Sequence, residues 1–462
     1  MKRSAWRYLW TAPDIRRKLL ITFGLLVLYR FVAQIRVPGV DTQALELAFG
    51  GSSSGANFLQ MVNLISGGTL RQFSVLGMGV YPYITAQIVI QLLTPIIPGW
   101  QKRMEDDPRE GRKWQEKRTY YFSILMGALT AFGQIAVVST LATGTGSVLE
   151  IIPGFGFSGD ADILGSATII IMMTAGTMFA IWLGELISEH GIRGQGLSLL
   201  IFAGIISQLP STIITIWNAP SVGFAPSVRW VGLAAYLVIM LLTIFVIVFV
   251  QQGRRNVPVM YPGRRVGNSM SMPVKGTLPL QVNMAGMIPL IFANAILQFP
   301  GMVANLLISS ETEWVARMAN WTALNITVTS PWYWVINFIF VVGFAFFYTD
   351  VLFAQQNYGE NLKRSGAQVP GVSRGAPTQR YLTRVLRRIT FPGAIFLGVV
   401  AVLPYIATLI YPPLGQISGA QGGGFLINSS GLLIVVGVVR DTFFNIEAEL
   451  KVHGYDESLL VK

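Results

Sequence analysis

Long stretches without a charged residue alternate along the chain with short charged segments. The charge-free stretches cover residues 72–101, 119–149, 163–184, 194–228, 230–253, 276–310, 318–349 and 389–439. A helix needs about 20 apolar residues to cross a hydrocarbon core roughly 30 Å thick. The last stretch has room for two helices, and an earlier span covers about 19–35, interrupted only by Arg30. The pattern therefore predicts an all-α polytopic membrane protein with ten transmembrane helices.

The composition excludes most other classes of protein. Of the 462 residues, 52% are hydrophobic and 12% are charged, whereas soluble domains carry roughly 25% charged residues. Cysteine is absent, and the histidines are only His190 and His453. The sequence has no Gly-x-x-x-x-Gly-Lys loop, no paired carboxylates and no Ser/His/Asp set. We therefore expect no enzymatic activity, no cofactor and no metal site.

Lysine and arginine in the loops predict the orientation of the chain. Basic residues are concentrated before the first span and in the loops after spans 2, 6 and 8, and the loop after span 4 adds Arg193. The opposite loops hold only Arg36, Arg71, Arg229 and Arg317. The positive-inside rule then places both termini in the cytoplasm. The net charge of +12 has two explanations at this point, membrane topology and binding of an anionic partner.

A short motif recurs in spans 2 and 7. Residues 82–87 and 289–294 share the pattern Pro-x-Ile-x-Ala-(Gln/Asn). Ten spans divide into two sets of five, so a duplicated half would be inverted in the membrane. The amides of Gln87 and Asn294 must face protein or water, because an unpaired amide in lipid is costly. They lie either at a seam that opens or in ordinary hydrogen bonds between helices.

A short apolar segment between spans 1 and 2 does not fit the membrane pattern. Phe58, Met61, Val62 and Ile65 recur at helical spacing, but the apolar part is too short to cross a bilayer. Glycines on both sides would allow this helix to move. It is therefore interpreted either as a lid or stopper, or as a static helix packed on the external face.

Four motifs in order resemble the SecY family, the channel subunits of the bacterial Sec protein translocase. They comprise residues 66–70 with 79–84, residues 184–192, residues 282–289, and residues 361–366 with 369–371. The resemblance implies two inverted five-helix halves, 19–217 and 229–445, arranged as a clamshell around an hourglass pore. It further implies a hinge at 218–228, a cytoplasmic N-terminal segment 1–18 and a cytoplasmic tail 446–462.

The same resemblance assigns roles to individual residues. A ring of aliphatic side chains at the waist of the pore would consist of Val80, Ile84, Leu197, Ile201, Ile291 and Ile434. The external helix at about 57–70 would be the plug, with Phe58, Met61, Val62, Ile65, Ser66, Gly67 and Gly68. Gln87 and Asn294 would then lie at a lateral gate between spans 2 and 7. This role favours a seam that opens over ordinary hydrogen bonds between helices.

The basic loops after spans 6 and 8 would bind cytoplasmic partners. The candidates are Arg254, Arg255, Arg264, Arg265, Lys363, Arg364 and Arg374. The family implies the ribosome, including ribosomal RNA, and the motor ATPase SecA as partners, because arginine suits both phosphate and acidic protein. One departure concerns Arg374, which lies one residue beyond the arginine of the family pattern Pro-Gly-x-Arg-x-Gly.

The function that we expect is a passive, gated channel in the bacterial plasma (inner) membrane. It would pass unfolded secretory polypeptides across the membrane and release membrane segments into lipid, driven by the ribosome or SecA. The further partners implied are SecE, often SecG, signal sequences, nascent polypeptides and membrane lipid. The alternatives are an ion-coupled secondary transporter, which would need a polar or charged waist, and a purely structural membrane scaffold.

Overall fold

The chain is mostly helical, as the sequence predicts. The computed structural model describes residues 13–40, 73–94, 96–144, 163–207, 210, 226–262, 265–266, 269–270, 274–307, 312–325, 330–356, 358–410 and 429–452. The first six helices are α1 (Pro13–Val32), α2 (Tyr81–Leu93), α3 (Pro98–Asp106), α4 (Pro108–Gly144), α5 (Ile163–His190) and α6 (Gly196–Ile206).

The remaining elements follow a long helix, α7 (Pro226–Gln252). They are β1 (Arg254–Tyr261), β2 (Arg265–Val266), β3 (Ser269–Met270), β4 (Val274–Gln281), α8 (Ile288–Leu307), α9 (Glu313–Asn325), α10 (Pro331–Gln356), α11 (Tyr358–Arg364), α12 (Ala376–Ile410) and α13 (Ser429–Val452). Proline begins several of these helices, where its missing N–H leaves no hydrogen bond unmade.

The helices pack in two groups that touch along a limited set of surfaces. In the first group, α1 packs on α5 and α6, α4 packs on α2 and α5, and α5 packs on α6. In the second group, α10 packs on α8 and α12, and α13 packs on α7 and α12. Between the groups, α8 contacts α2 and α4, and α13 contacts α6. Among the described residues, one hydrophobic cluster joins α1, α5, α6 and α13, and another joins α7, α8, α10, α12 and α13.

Three of the described helical segments are long and apolar enough to cross a membrane. They are Ile163–His190, Pro331–Arg364 and Ala376–Leu403. A fourth results if α2 and α3 count as one broken span, since they meet at a bend of 98°. The membrane character is thus supported, whereas the number of ten spans stays a prediction. The charge-free stretch 72–101 is not one straight helix, because Pro98 begins a new one.

The prediction of an all-α chain is wrong for residues 254–261 and 274–281, which form strands. β1 and β4 form an antiparallel pair with Arg254 opposite Gln281 and Tyr261 opposite Val274, and β2 and β3 form a second, shorter pair. Charge-free residues 276–281, which the sequence assigned to a membrane span, therefore lie in a strand. Val257 and Val259 are buried at alternate positions of β1. Both strands of a two-stranded sheet are edges, so they tolerate Pro258 and Pro279.

Candidate functional site

The six residues predicted to form the pore ring belong to one hydrophobic cluster. Val80 and Ile434 are buried in it, and Ile84, Leu197, Ile201 and Ile291 are half-buried side chains packed against it. Val80 directly precedes α2, and the other five lie on α2, α6, α8 and α13. Val80 with Ile84, and Leu197 with Ile201, are four residues apart, which places each pair on one face of its helix.

A buried turn positions Val80 at the start of α2. The N–H of Val75 donates to the carbonyl of Ile35 at 3.0 Å, and the N–H of Val37 donates to the carbonyl of Phe73 at 3.0 Å. Phe73, Leu76 and Met78 are buried, so the turn is part of the core. Gly79 has a φ of +55°, a left-handed conformation that glycine adopts without steric cost. The chain therefore enters α2 in a defined direction.

The backbone of this turn lies directly against Gly176 in the middle of α5. A Cβ at Gly176 would lie 2.7 Å from the carbonyl carbon of Val75 and closer still to its oxygen. Only a glycine allows this approach, because any side chain would displace the backbone that leads to Val80.

A second buried turn sets the position of Ile291 on α8. The Asn283 side-chain amide donates to the carbonyl of Gly286 at 3.0 Å, and Asn283 is buried. Gly286 has a φ of +63°, which a residue with a Cβ rarely adopts. The motif at residues 282–289, which carries part of the family resemblance, is thus a turn that starts the helix.

The two amide residues predicted at the gate lie on helices that touch. Gln87 on α2 and Asn294 on α8 are both half-buried, and among the described residues neither has a hydrogen-bond partner. Ile88 of α2 and Phe292 of α8 share a small buried cluster. Phe292 also contacts the rings of Tyr348 and Phe344, with centroid distances of 5.6 and 6.0 Å. The seam between α2 and α8 is therefore apolar with two amides beside it.

The predicted plug residues all lie outside the described residues: Phe58, Met61, Val62, Ile65, Ser66, Gly67 and Gly68. The same holds for Arg264 and for the side chain of Arg265, although the backbone of Arg265 belongs to β2.

The other predicted docking residues are exposed on two neighbouring segments. Arg254 and Arg255 lie on β1, Lys363 and Arg364 end α11, and Arg374 precedes α12. The hairpin and the segment after α11 are joined by two backbone hydrogen bonds, from Met260 N–H to Gln368 O at 2.8 Å and from Gln368 N–H to Met260 O at 2.9 Å. The structure thus places the two basic loops side by side.

A hydrophobic core beneath the two loops makes them one unit. Its buried members come from the hairpin, from α10, from α11, from the segment after α11 and from α12: Val257, Val259, Leu280, Phe353, Leu362, Ala367, Val369, Leu382, Val385 and Leu386. The sequence analysis missed these residues. The alternation of Val257 and Val259 around Pro258 was the available signal, because an alternation of period two is typical of a strand.

Arg440 connects α13 to the end of α7. Its Nη1 donates to the carbonyl of Gln251 at 3.2 Å, and its Nε and Nη2 donate to Oδ1 of Asp441 at 3.1 and 3.0 Å. The guanidinium group therefore satisfies a carbonyl at the last turn of α7, where helical carbonyls lack partners within the helix. The ion pair with Asp441 stabilises the charge of Arg440, whose side chain is only 16% exposed.

Solved structures of protein-conducting channels are similar to this fold. The protein of "The structure of a protein conducting channel" superposes with a TM-score of 0.59 at 18% identity, covering 99% of this chain and 100% of that chain. Sec61 in the canine ribosome-channel complex from the endoplasmic reticulum superposes with a TM-score of 0.57 at 18% identity, with the same coverage. The described part of the chain therefore has the fold of these channel structures.

Sequence comparison defines the family. The SecY family profile matches residues 74–443. The protein translocase subunit SecY of Streptomyces scabiei is 34% identical over 459 residues, covering 98% of this chain and 99% of that protein. Its counterpart in Mycobacterium bovis is 36% identical over 452 residues, covering 96% of each chain. The chain belongs to the SecY family.

Proposed function

We propose that this chain forms the pore of a protein-conducting channel and acts as a protein translocase subunit. The observation that carries the proposal is the hydrophobic cluster that joins Val80, Ile84, Leu197, Ile201, Ile291 and Ile434. A narrow aliphatic constriction excludes water and therefore blocks ions. It makes no directional bonds, so it can surround a polypeptide of any sequence. An ion-coupled transporter would instead need polar or charged ligands there.

The proposed architecture is a clamshell of ten spans in two inverted halves, residues 19–217 and 229–445. The division of the described helices into two packing groups supports it, because the groups meet only where α8 contacts α2 and α4 and where α13 contacts α6, among the larger helix contacts. Both termini, including segment 1–18 and tail 446–462, would lie in the cytoplasm of a bacterium, with the channel in its inner membrane. The proposed hinge, 218–228, lies mostly outside the described residues.

The seam between α2 and α8 is the proposed lateral gate for signal sequences and membrane segments. The buried cluster that contains Ile88 and Phe292 is apolar, so it could separate without breaking side-chain hydrogen bonds. Gln87 and Asn294 would meet water or substrate when the gate opens. Residues 57–70 are the proposed plug. The solved SecY structure in which the plug domain stabilises the closed state of the channel supports this role by fold.

The two basic loops are the proposed docking site for the ribosome and SecA. The exposed side chains of Arg254, Arg255, Lys363, Arg364 and Arg374 support this role, because several guanidinium groups on one surface suit ribosomal RNA phosphate. SecE, and often SecG, would complete the channel. The energy for transport would come from these partners, and no catalysis by the chain itself is required.

Crosslinking to an arrested nascent chain tests the pore directly. A photoreactive residue at Ile84 or at Ile291 is expected to form adducts with an arrested secretory polypeptide in active membranes. The matched control is the same probe at Ile339, which is 58% exposed on the outer face of α10 and should give no adduct. Absence of adducts at both ring positions would contradict the proposed function.

The pairing of the two basic loops predicts a docking defect. Gln368→Pro removes the N–H that donates to Met260 O, and losing a net hydrogen bond of roughly 1 kcal/mol should weaken ribosome binding about fivefold. The measurement is equilibrium binding of purified ribosomes to the purified full chain.

The control for this experiment is Gln368→Ala. It keeps the backbone N–H and removes only the side chain, whose Nε2 donates to Val372 O at 3.3 Å. It should bind ribosomes nearly as tightly as the unchanged protein. Equal affinity for the proline and alanine variants would show that docking does not need the paired loops.

A further inference from the structure

A groove with four arginines in its wall lies where α10, α11 and α12 meet. Its volume is about 880 Å³. The residues that matter for its chemistry are Arg380, Arg384, Arg387, Arg388, Phe346 and Phe391. All four arginines are exposed and lie on α12 at positions that repeat with the turn of the helix. The sequence analysis treated them only as determinants of topology.

Three of the four guanidinium groups have no carboxylate partner among the described residues. Arg387 is already neutralised, because its Nη2 and Nε donate to the two Asp350 oxygens at 2.9 and 3.3 Å. Glu360 also lines the groove, and its carboxylate lies 3.9 Å from the Nε of Arg364. Arg380, Arg384 and Arg388 therefore leave a net positive charge in the groove.

An exposed apolar row continues from the arginines along the same helix. Phe391, Ile395 and Val399 follow Arg384 and Arg388 at intervals of about one turn, and all three are exposed. They lie within Ala376–Leu403, one of the segments long and apolar enough to cross a membrane. One face of α12 thus carries charge at its beginning and hydrocarbon beyond it.

We propose that this groove binds an acidic phospholipid, with its phosphate against Arg384 and Arg388 and an acyl chain along Phe391, Ile395 and Val399. Guanidinium groups pair with phosphate through two hydrogen bonds at once. Basic pockets between membrane helices bind lipid headgroups. A ribosome or an acidic protein would match the charge, but neither accounts for the apolar row that continues into a membrane-spanning segment.

The test is lipid binding by the purified full-length chain, measured by native mass spectrometry from mixed micelles of phosphatidylglycerol and phosphatidylcholine. The double variant Arg384→Gln with Arg388→Gln should bind phosphatidylglycerol at least about tenfold more weakly, because each basic residue near an anionic membrane strengthens binding measurably. Phosphatidylcholine binding should not change. The matched control is Arg254→Gln with Arg255→Gln on the hairpin. This variant should bind phosphatidylglycerol as tightly as the unchanged protein.

A second variant separates a lipid site from a simple anion site. Phe391→Gln keeps every arginine and should also weaken phosphatidylglycerol binding, and excess inorganic phosphate should not displace the lipid. Unchanged lipid binding by the arginine variant, or an equal loss in the hairpin control, would overturn the proposal. Displacement by phosphate with no effect of Phe391→Gln would also overturn it. So would weaker ribosome binding by the arginine variant with unchanged lipid binding, because the groove would then belong to the docking surface.

Discussion

Liposomes that contain the variant Ile84→Asn with Ile291→Asn are expected to leak ions. Ile84 on α2 and Ile291 on α8 belong to the same hydrophobic cluster, so the double change brings two amides to the proposed waist. Amides allow water to enter a constriction that aliphatic groups keep dry. Lowering the barrier to an ion by about 1.4 kcal/mol raises the flux about tenfold. We therefore expect at least that increase in chloride or potassium efflux.

The control for the leak is the same chemical change away from the cluster. Ile339→Asn places one amide at a position of α10 that is 58% exposed and does not belong to the hydrophobic cluster of the six ring residues. It should leave the ion permeability at the level of the unchanged protein. A double variant that folds, inserts and remains as tight as this control would show that the six aliphatic residues do not form the seal.

Gly176→Ala is expected to destabilise the whole fold. The new Cβ would lie 2.7 Å from the carbonyl carbon of Val75 and overlap its oxygen, and the clash is with backbone, which no rotamer change can relieve. Overpacking of a core costs up to about 3 kcal/mol, so the temperature of unfolding in detergent should fall by several degrees. The displaced turn carries Val80, so any folded fraction should also leak ions.

A matched glycine on another long helix provides the control. Gly343 lies on α10, and a Cβ there meets no atom within 4 Å. Gly343→Ala should leave the stability unchanged or raise it by about 0.5–1 kcal/mol, because alanine loses less conformational entropy in a helix than glycine. Equal unfolding temperatures of the two alanine variants would mean that α5 and the turn before α2 are not in close contact.

The ring residues show what local sequence patterns can and cannot predict. Spacing alone places Val80 with Ile84, and Leu197 with Ile201, on one helix face each. It does not say which faces meet, and only the resemblance to the SecY family joined these pairs to Ile291 and Ile434. In the structure all six lie in or against one hydrophobic cluster, while the role of that cluster as a pore ring stays a prediction.

The hairpin shows where the charge pattern fails. Residues 276–310 lack charge, but β4 ends at Gln281 and α8 begins at Ile288. A short apolar run has the same hydropathy in a strand as in a helix, so it does not distinguish them. The stretch 318–349 is divided in the same way, because α9 ends at Asn325 and Pro331 begins α10.

The sequence by itself determined that the chain is a helical membrane protein with basic loops, because apolar runs and loop charges are local properties. Only the tertiary structure decided that Met260 pairs with Gln368, that Val75 lies against Gly176 and that Arg384 and Arg388 line a groove with Phe346. These contacts join residues far apart in sequence, and they depend on which helix faces pack together. Periodicity predicts the faces but not their partners.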